Sequence, residues 1–258
     1  MGHERIGFLP RSKRWRKVVE AIADSPSDYP LEVSRLADNT LRNVSDRFRR
    51  LHKDGGVQAA FGYLLSLATS HLPQGSGMAS PKTTLEENPS PARIAKNLND
   101  WVNRHATSRE YAELACRAAA DTIAKWTRAH SKQQLLFDES SSAKRVWSET
   151  ANARGFCEMA RTFFSHFTER YLRYFLEREA SAKLPSVEAR QRFNESLRKH
   201  VVQVSEHAFE TSKITQSFAA GWFNNHARAS RPTNREIEGF LAIAFNKVHE
   251  ELERESGA

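Results

Sequence analysis

The spacing of apolar side chains is the feature that most restricts the fold of this chain. Long segments place apolar residues three or four positions apart, and the apolar–polar alternation that marks β-strands is nearly absent. A period of three to four residues gathers these side chains on one face of an α-helix. The sequence therefore predicts an all-α protein: a multi-helix bundle with a smaller, basic N-terminal helical module.

Two polar segments suggest how the helices are grouped. Residues 73–90 are rich in Pro, Gly, Ser and Thr and contain few side chains able to join a core, which is typical of a linker. We therefore expect the basic N-terminal helical module to span residues 1–72 and a helical bundle domain to span residues 91–258. Residues 130–142 are also polar and are expected to form an internal linker of the bundle.

Local signals mark several helix boundaries. Gly55-Gly56 is expected to stop one helix, with the next running from Val57 to about His71. Ser90-Pro91 predicts a helix start with Pro at the first helical position. The segments from Thr107 to Glu110 and from Thr233 to Glu236 both fit the capping box, in which each side chain satisfies a backbone donor of the other residue.

Two later segments predict long bundle helices. Residues 156–180 carry seven aromatic rings at helical spacing, which favours a core face over a platform for stacking bases. Residues 186–229 show a seam of apolar residues alternating by four and three. The polar stretch 211–217 interrupts that seam, and a bend, an exposed helix end or a buried hydrogen-bonded layer would each account for it.

The compartment follows from what the chain lacks. Its two cysteines, Cys116 and Cys157, each sit within a helical apolar pattern, so a disulfide framework is not expected. The N-terminus lacks the apolar core of a secretory signal. The longest apolar stretch, from Ala59 to Ala68, is about half as long as a membrane span. We expect a cytoplasmic protein without a membrane partner.

The charge balance suggests an anionic partner. The chain has 39 basic and 31 acidic residues, a formal net charge of +8. Such an excess favours nucleic acid, although a merely solvated basic surface gives the same count. The candidate nucleic-acid-binding residues lie in two groups near the N-terminus. They are Arg11, Lys13, Arg14, Trp15, Arg16 and Lys17 in the first group, and Arg42, Arg47, Arg49, Arg50 and Lys53 in the second.

The two groups imply different modes of contact. In the first, basic side chains at a helix start oppose the helix dipole, a cost that a bound phosphate would offset, and Trp15 is available to stack or anchor. The second lies in residues 33–57, which resemble a helix-turn-helix with a turn near Asn39-Thr40. In that family the second helix enters the major groove of DNA. Here the turn lacks the usual Gly, and residues 59–68 continue as helix.

A short motif points to a protein partner. The segment Gln133-Gln-Leu-Leu-Phe137 resembles the bacterial sliding-clamp-binding motif, Gln-x-x-Leu-Phe in its loose form. The resemblance covers five residues and implies that Leu136 and Phe137 enter an apolar pocket while Gln133 bonds at its rim. Gln134 stands where Leu is favoured. The alternative is that Leu135, Leu136 and Phe137 fasten the segment to the bundle.

A second resemblance implies catalysis. The segment from Arg161 to His166 fits the Arg-x(4–6)-His pattern of HEPN ribonucleases, which are also all-helical, and the segment from Arg47 to His52 fits it too. The resemblance implies that Arg holds a phosphate while His moves a proton at the ribose 2′-hydroxyl. Arg161 lacks the polar neighbour usual in that family. The pattern is loose enough for about three chance matches in so Arg-rich a chain.

Other motifs of enzymes are missing from the sequence. It contains no Gly-rich phosphate loop, no His-Glu-x-x-His, no Cys-x-x-Cys and no Gly-x-Ser-x-Gly. His200 and His207 share a helix face but lack further ligands, so no metal or cofactor is expected. The sequence favours a non-enzymatic, DNA-associated accessory protein of bacterial replication, repair or phage defence that docks a sliding clamp. A HEPN-like ribonuclease and a helical scaffold subunit that contacts other protein subunits are the alternatives.

Overall fold

The structure of the protein is a computed structural model. It describes residues 13, 16, 17, 47–69, 91–106, 111–134, 146, 147, 150–184, 186–211, 213–228 and 230–255. All regular secondary structure within these ranges is helical, which confirms the predicted all-α multi-helix fold. The elements are a 3-10 helix Arg50–Lys53 and seven α-helices: α1 Gly55–Ala68, α2 Pro91–His105, α3 Ala112–Gln134, α4 Ala153–Lys183, α5 Val187–Thr211, α6 Lys213–His226 and α7 Asn234–Glu255.

Helix α1 lies at the centre of the bundle. Thirteen of its fourteen residues are buried, and the exception, Gln58, is half-buried. A helix that is apolar on all sides needs partners on all sides. Helices α2, α3 and α7 pack around it, and Phe61 meets Phe163 of α4 with ring centroids 5.4 Å apart. The unbroken apolar run, half the length of a membrane span, is therefore the core helix of a bundle.

The start of α1 differs from the prediction. Gly55-Gly56 forms its first turn rather than a break before Val57, and the helix ends at Ala68 rather than near His71. The cause is Asp54, whose carboxylate accepts hydrogen bonds from the backbone N–H groups of Gly56 and Val57 at 2.9 and 3.0 Å. An N-cap of this kind satisfies donors that the first helical turn leaves free. Because of this cap, α1 begins at Gly55, two residues before the start that the apolar pattern predicts.

Gly56 is required by the contact between α1 and α3. A Cβ atom at this position would lie 2.5 Å from both Cα and Cβ of Ala112. This distance is far inside van der Waals contact, so only glycine allows the two helices to meet there. Further along α1, the Tyr63 hydroxyl donates to the carbonyl of Ile94, and the Trp101 indole donates to that of Ala59. These two bonds join α2 to α1.

Helix α4 supplies the aromatic core, as its spacing predicts. Phe156, Phe163, Phe164, Phe167, Tyr171 and Phe175 are each 0% exposed. They pack edge-on or stacked against rings of α1, α6 and α7. Burying one such ring contributes about 1.5–3 kcal/mol, so this helix is a main source of stability. The rings are therefore not available as a platform for stacking bases.

The seam of residues 186–229 forms two helices rather than one. Helix α5 ends at Thr211 and α6 begins at Lys213, within the polar stretch that interrupts the apolar pattern. Both helices pack along α4, which at 31 residues is about 46 Å long. At the N-terminal end of α4, Phe156 stacks on Phe223 of α6 with centroids 5.1 Å apart. Two consecutive helices thus pack along α4.

The capping predictions have different outcomes. Thr233 donates its backbone N–H and its hydroxyl to Glu236 Oε2 at 2.7 and 2.8 Å, and Glu236 N–H donates to Thr233 Oγ1 at 3.3 Å, which confirms the capping box. Helix α2 begins at Pro91 as predicted. The segment 107–110 lies outside the described residues, so the capping box expected there remains a prediction.

One hydrophobic core includes residues from both sides of the expected linker. Residues from Phe48 to Ala68 belong to the same buried cluster as residues from Ile94 to Val248. Residues 48–68 of the 1–72 module are thus part of the bundle, with α1 packed among α2, α3 and α7. The segment 73–90 itself lies outside the described residues. In the second expected linker, 130–142, residues 130–134 are helical because α3 continues to Gln134.

Candidate nucleic-acid interface

Three exposed cations lie together just before α1. The side chains of Arg49, Arg50 and Lys53 are exposed, whereas the two apolar residues of the same segment, Phe48 and Leu51, are buried at 0% and 1% exposure. The buried residues hold this segment against the core, and the basic residues occupy its outer side. We call Arg49, Arg50 and Lys53 the basic patch.

The backbone of the basic patch is fixed by local hydrogen bonds. The His52 ring Nδ1 lies 2.8 Å from the carbonyl of Arg49, and Gln58 Nε2 donates to the carbonyl of His52 at 2.7 Å. The Asp54 N–H donates to the carbonyl of Leu51 at 3.0 Å and closes the 3-10 turn. Cations at the C-terminal end of a helical segment also complement its dipole, so part of the patch's role is local stability.

The structure describes three residues of the first basic group. Lys13, Arg16 and Lys17 are helical and exposed. Positions i, i+3 and i+4 share one helix face, so these cations form a second basic surface. Of the other predicted residues, Arg47 is half-buried, and Arg11, Arg14, Trp15 and Arg42 lie outside the described residues, as does the expected helix-turn-helix turn near 39–40.

The two residues of the ribonuclease pattern lie on α4. Arg161 and His166 are both half-buried and are five positions apart, about 140° around the axis at about 100° per residue. His166 Nδ1 lies 4.0 Å from Glu169 Oε2. Its Nε2 is enclosed and has no hydrogen-bond partner among the residues that the structure describes. An enclosed Nε2 is poorly placed to exchange a proton with a ribose hydroxyl.

Ion pairs account for the charge next to His166. Glu169 lies 3.3 Å from Arg173, which also contacts Glu177 at 2.6 Å, and Arg170 pairs with Asp121 of α3. Burial alone would raise the pKa of the Glu169 carboxyl, but hydrogen bonds and charge from His166 and Arg173 outweigh it and lower that pKa. Glu169 is therefore an ionised partner in a ladder of ion pairs that runs along α4.

The cysteines are not activated for nucleophilic chemistry. Burial raises the pKa of the Cys116 thiol, and it raises the pKa of the Cys157 thiol to about 11. A thiol reacts as its thiolate, so at neutral pH both are poor nucleophiles. No group of three or more His, Cys, Asp and Glu side chains in the described ranges is arranged to hold a metal ion.

The clamp-like motif begins inside a helix. Gln133 and Gln134 are the last two residues of α3, and Leu136 and Phe137 follow beyond the described residues. Gln133 is thus helical rather than part of an extended linker. Trp126, two turns earlier in α3, donates from its indole nitrogen to the carbonyl of Val146.

A repeated pairing of tryptophan and histidine is a feature that the sequence motifs above do not include. His105 and His130 stack on Trp101 and Trp126, with ring centroids 3.6 and 3.9 Å apart. In each case the His Nδ1 lies within 3.0 Å of the carbonyl four residues earlier. His226 also follows a Trp by four residues, but its ring is tilted against Trp222 at 5.5 Å and its Nδ1 lies 2.9 Å from Glu236 Oε1. The sequence carries the signal, since each His comes four residues after a Trp, and it indicates a structural role near helix ends rather than catalysis.

No helix within the described ranges combines the length and the hydropathy that crossing a membrane requires. Comparisons of the chain with protein-family models, with curated proteins and with solved structures found no match.

Proposed function

We propose that this protein binds DNA through contacts to the phosphate backbone, with the basic patch as part of the contact surface. The observation that carries the proposal is the burial pattern of residues 48–53, in which Phe48 and Leu51 are fixed in the core and Arg49, Arg50 and Lys53 are exposed. A rigid anchor lowers the entropy cost of presenting three cations to a phosphate chain. The net charge of +8 acts in the same direction.

The geometry of the patch fits phosphate contact better than base reading. Positions 50 and 53 are one turn apart in the 3-10 helix, so they lie on the same side of it, about 6 Å apart along its axis, and Arg49 directly precedes them. Two arginines and a lysine so placed are able to reach neighbouring phosphates, and phosphate contacts give affinity without sequence information. Lys13, Arg16 and Lys17 offer a second set of the same kind. We therefore expect salt-sensitive binding with little sequence preference.

The proposal is tested by removing the patch and measuring affinity. Arg49→Ala, Arg50→Ala and Lys53→Ala together should weaken binding to a short fluorescent DNA duplex at low salt at least about tenfold, as expected for losing up to three phosphate contacts. A matched control is Arg192→Ala, Arg198→Ala and Lys199→Ala, which removes two arginines and one lysine that are also exposed, on α5. Equal loss in both variants, or no binding by the wild type at low salt, would refute the proposal.

We also propose that the segment Gln133–Phe137 docks a bacterial sliding clamp, which would place the protein beside DNA during synthesis or repair. Support comes from the match to the motif and from its position directly at the end of α3. Since Gln133 is in the last helical turn, docking in an extended form requires that turn to unwind. Ends of helices open most readily, so the required change is small.

A further inference from the structure

The segment that carries the basic patch has one buried side and two outer sides. Residues 50–53 form a 3-10 helix, in which side chains three positions apart lie on the same side. The three pairs are Phe48 with Leu51 on the buried side, Arg50 with Lys53 on one outer side, and Arg49 with His52 on the other. His52 therefore occupies the remaining outer position beside the three cations of the patch.

A hydrogen bond assigns the proton of the neutral His52 ring. Its Nδ1 lies 2.8 Å from the carbonyl oxygen of Arg49, and a carbonyl only accepts, so Nδ1 carries the hydrogen. In the neutral ring the other nitrogen, Nε2, is then an acceptor without a hydrogen. The residue is half-buried and this bond lies at the surface. Neutral His52 therefore has no donor left for a phosphate oxygen.

Protonation reverses the role of Nε2. Both nitrogens of the charged ring are donors, so Nε2 gains a hydrogen while Nδ1 keeps its bond to the Arg49 carbonyl. A positively charged donor forms a strong hydrogen bond with a phosphate oxygen. The backbone at this position is held independently, because Gln58 Nε2 donates to the carbonyl of His52 at 2.7 Å. Charging the ring thus adds a phosphate-binding group at a fixed place.

Within its own segment, His52 is surrounded mainly by cations. They are the basic patch and the half-buried Arg47. The carboxylate of Asp54 accepts hydrogen bonds from the N–H groups of Gly56 and Val57 and so caps α1. A proton on His52 adds charge to a surface that is already positive. A bound phosphate offsets the cost of that added charge.

The helices packed against the segment bring little opposing charge. The titratable side chain of α1 is Tyr63, and α4 contacts the segment through Tyr171; both are buried. On the turns of α7 that meet the segment, His249 is buried and Lys247 pairs with Glu250 at 3.0 Å. A phosphate from outside the chain is then a suitable counter-ion for the protonated ring.

We propose that His52 is a fourth phosphate contact of the basic patch and that this contact forms only when its ring is protonated. The inference rests on the proposed DNA-binding function and concerns the regulation of the same surface by pH. Protonation and DNA binding then favour each other, because coupling between two ligands is reciprocal. Since histidine changes its charge between about pH 5 and about pH 8, DNA affinity should rise as pH falls through that range.

The test compares His52→Asn with the wild type at two pH values. Asparagine keeps an N–H donor for the Arg49 carbonyl but never becomes charged. From about pH 8 to about pH 5.5, wild-type binding to a short fluorescent DNA duplex at low salt should tighten about twofold to fivefold more than binding by the variant. At the acid pH the salt slope of the wild type should also be larger in magnitude, by up to about 0.9.

His130→Asn is the matched control. His130 is also half-buried, and its Nδ1 lies 2.9 Å from the carbonyl of Trp126. It is about 27 Å along α3 from Ala112, the residue next to Gly56 at the start of α1. This control should keep the full wild-type response to pH. Thermal unfolding shows whether each variant is folded, and His52→Gln, which also stays neutral, is measured beside them.

The outcomes separate this inference from the function on which it rests. Measurable binding with the same pH response in the wild type and in both His52 variants overturns the contact and leaves DNA binding standing. So does an equal loss of the response in the control. If the His52 variants lose as much affinity at about pH 8 as at about pH 5.5, His52 acts only by holding the backbone, and the proposal is wrong. If the wild type binds duplex DNA at neither pH at low salt, both the function and its regulation are wrong.

Discussion

Phe48 meets Phe245 edge-on, with ring centroids 5.4 Å apart and an interplanar angle of 86°. This contact joins the segment of the basic patch to α7. The ring of Tyr171 of α4 packs edge-on against the Phe48 ring, with centroids 5.4 Å apart. We expect Phe48→Ala to lower the free energy of unfolding by about 3–5 kcal/mol, because it leaves a cavity among aromatic rings. Chemical denaturation measures the change. Ile243→Ala, at a position 43% exposed on α7, is the control and should cost far less; equal costs would contradict the packing described.

Substitution of Gly56 should destabilise the protein, whereas substitution of Gly239 should not. Gly56→Ala places a Cβ atom 2.5 Å from Ala112 and should destabilise the protein by about 1–3 kcal/mol through forced separation of α1 and α3. At Gly239 of α7, a Cβ atom would have nothing within 4 Å of it. Gly239→Ala should therefore stabilise by about 0.5–1 kcal/mol through helix propensity. Thermal unfolding of both variants measures the difference. If Gly239→Ala were also destabilising, the lack of room for a Cβ atom would not explain the sensitivity of Gly56.

The salt dependence of DNA binding should report the basic patch directly. The logarithm of the binding constant falls with the logarithm of salt concentration with a slope of about −0.9 for each phosphate contact. Alanine at Arg49, Arg50 and Lys53 should thus reduce the magnitude of the slope by up to about 3. Titrations at several salt concentrations give the slope. An unchanged slope would mean that these cations do not touch phosphates, even if affinity falls.

The clamp motif predicts a position-specific loss. Leu136→Ala with Phe137→Ala should abolish co-elution with a bacterial sliding clamp, because these two side chains would fill its apolar pocket. Leu135→Ala, one position away at a place the motif leaves open, should keep the interaction. Thermal unfolding of the double variant is the second measurement. A large fall in Tm would instead indicate that Leu136 and Phe137 fasten the segment to the bundle.

Glu236 should make the stability of the α6–α7 corner depend on pH. Its hydrogen bonds with Thr233, followed by that with His226, lower the pKa of its carboxyl. A lowered carboxyl pKa contributes stability above the ordinary carboxyl range, and this contribution is lost as pH falls through the lowered value. Glu236→Gln should therefore lower Tm by about 1–3 °C at pH 7, and the difference should shrink towards acid pH. A difference that grows on acidification would contradict this assignment.

The helix ends show which boundaries can be predicted from neighbouring residues alone. The capping box at Thr233 and Glu236 is confirmed because both halves of the interaction lie within four residues. The prediction for the start of α1 is wrong by two residues because Asp54, and not the glycine pair, sets the boundary. The linker expected from residue 130 begins too early because the last residues of α3 are polar. A polar helix end and a linker have the same composition, and only the chain geometry separates them.

The candidate site is predictable in part. The exposure of Arg49, Arg50 and Lys53 follows from Phe48 and Leu51 being the apolar residues of that segment, whereas the role of these cations in binding nucleic acid remains a prediction. The enclosed Nε2 of His166 is not predictable, because a spacing of five residues says nothing about what surrounds a ring. Likewise, no local pattern indicates that residues 50–53 pack against α7, which lies almost two hundred residues away in the chain.

A helical protein with an aromatic core can be predicted from the sequence, because helical periodicity is set by neighbours along the chain and large rings at that period share one buried face. The central position of α1, which was expected in a separate N-terminal module, emerges from the packing of the folded chain. The physical reason is that an apolar helix has to be covered, but its sequence does not say by which partners. The packing of the basic-patch segment against α7 is of the same kind, because the two are distant in the chain and adjacent in space.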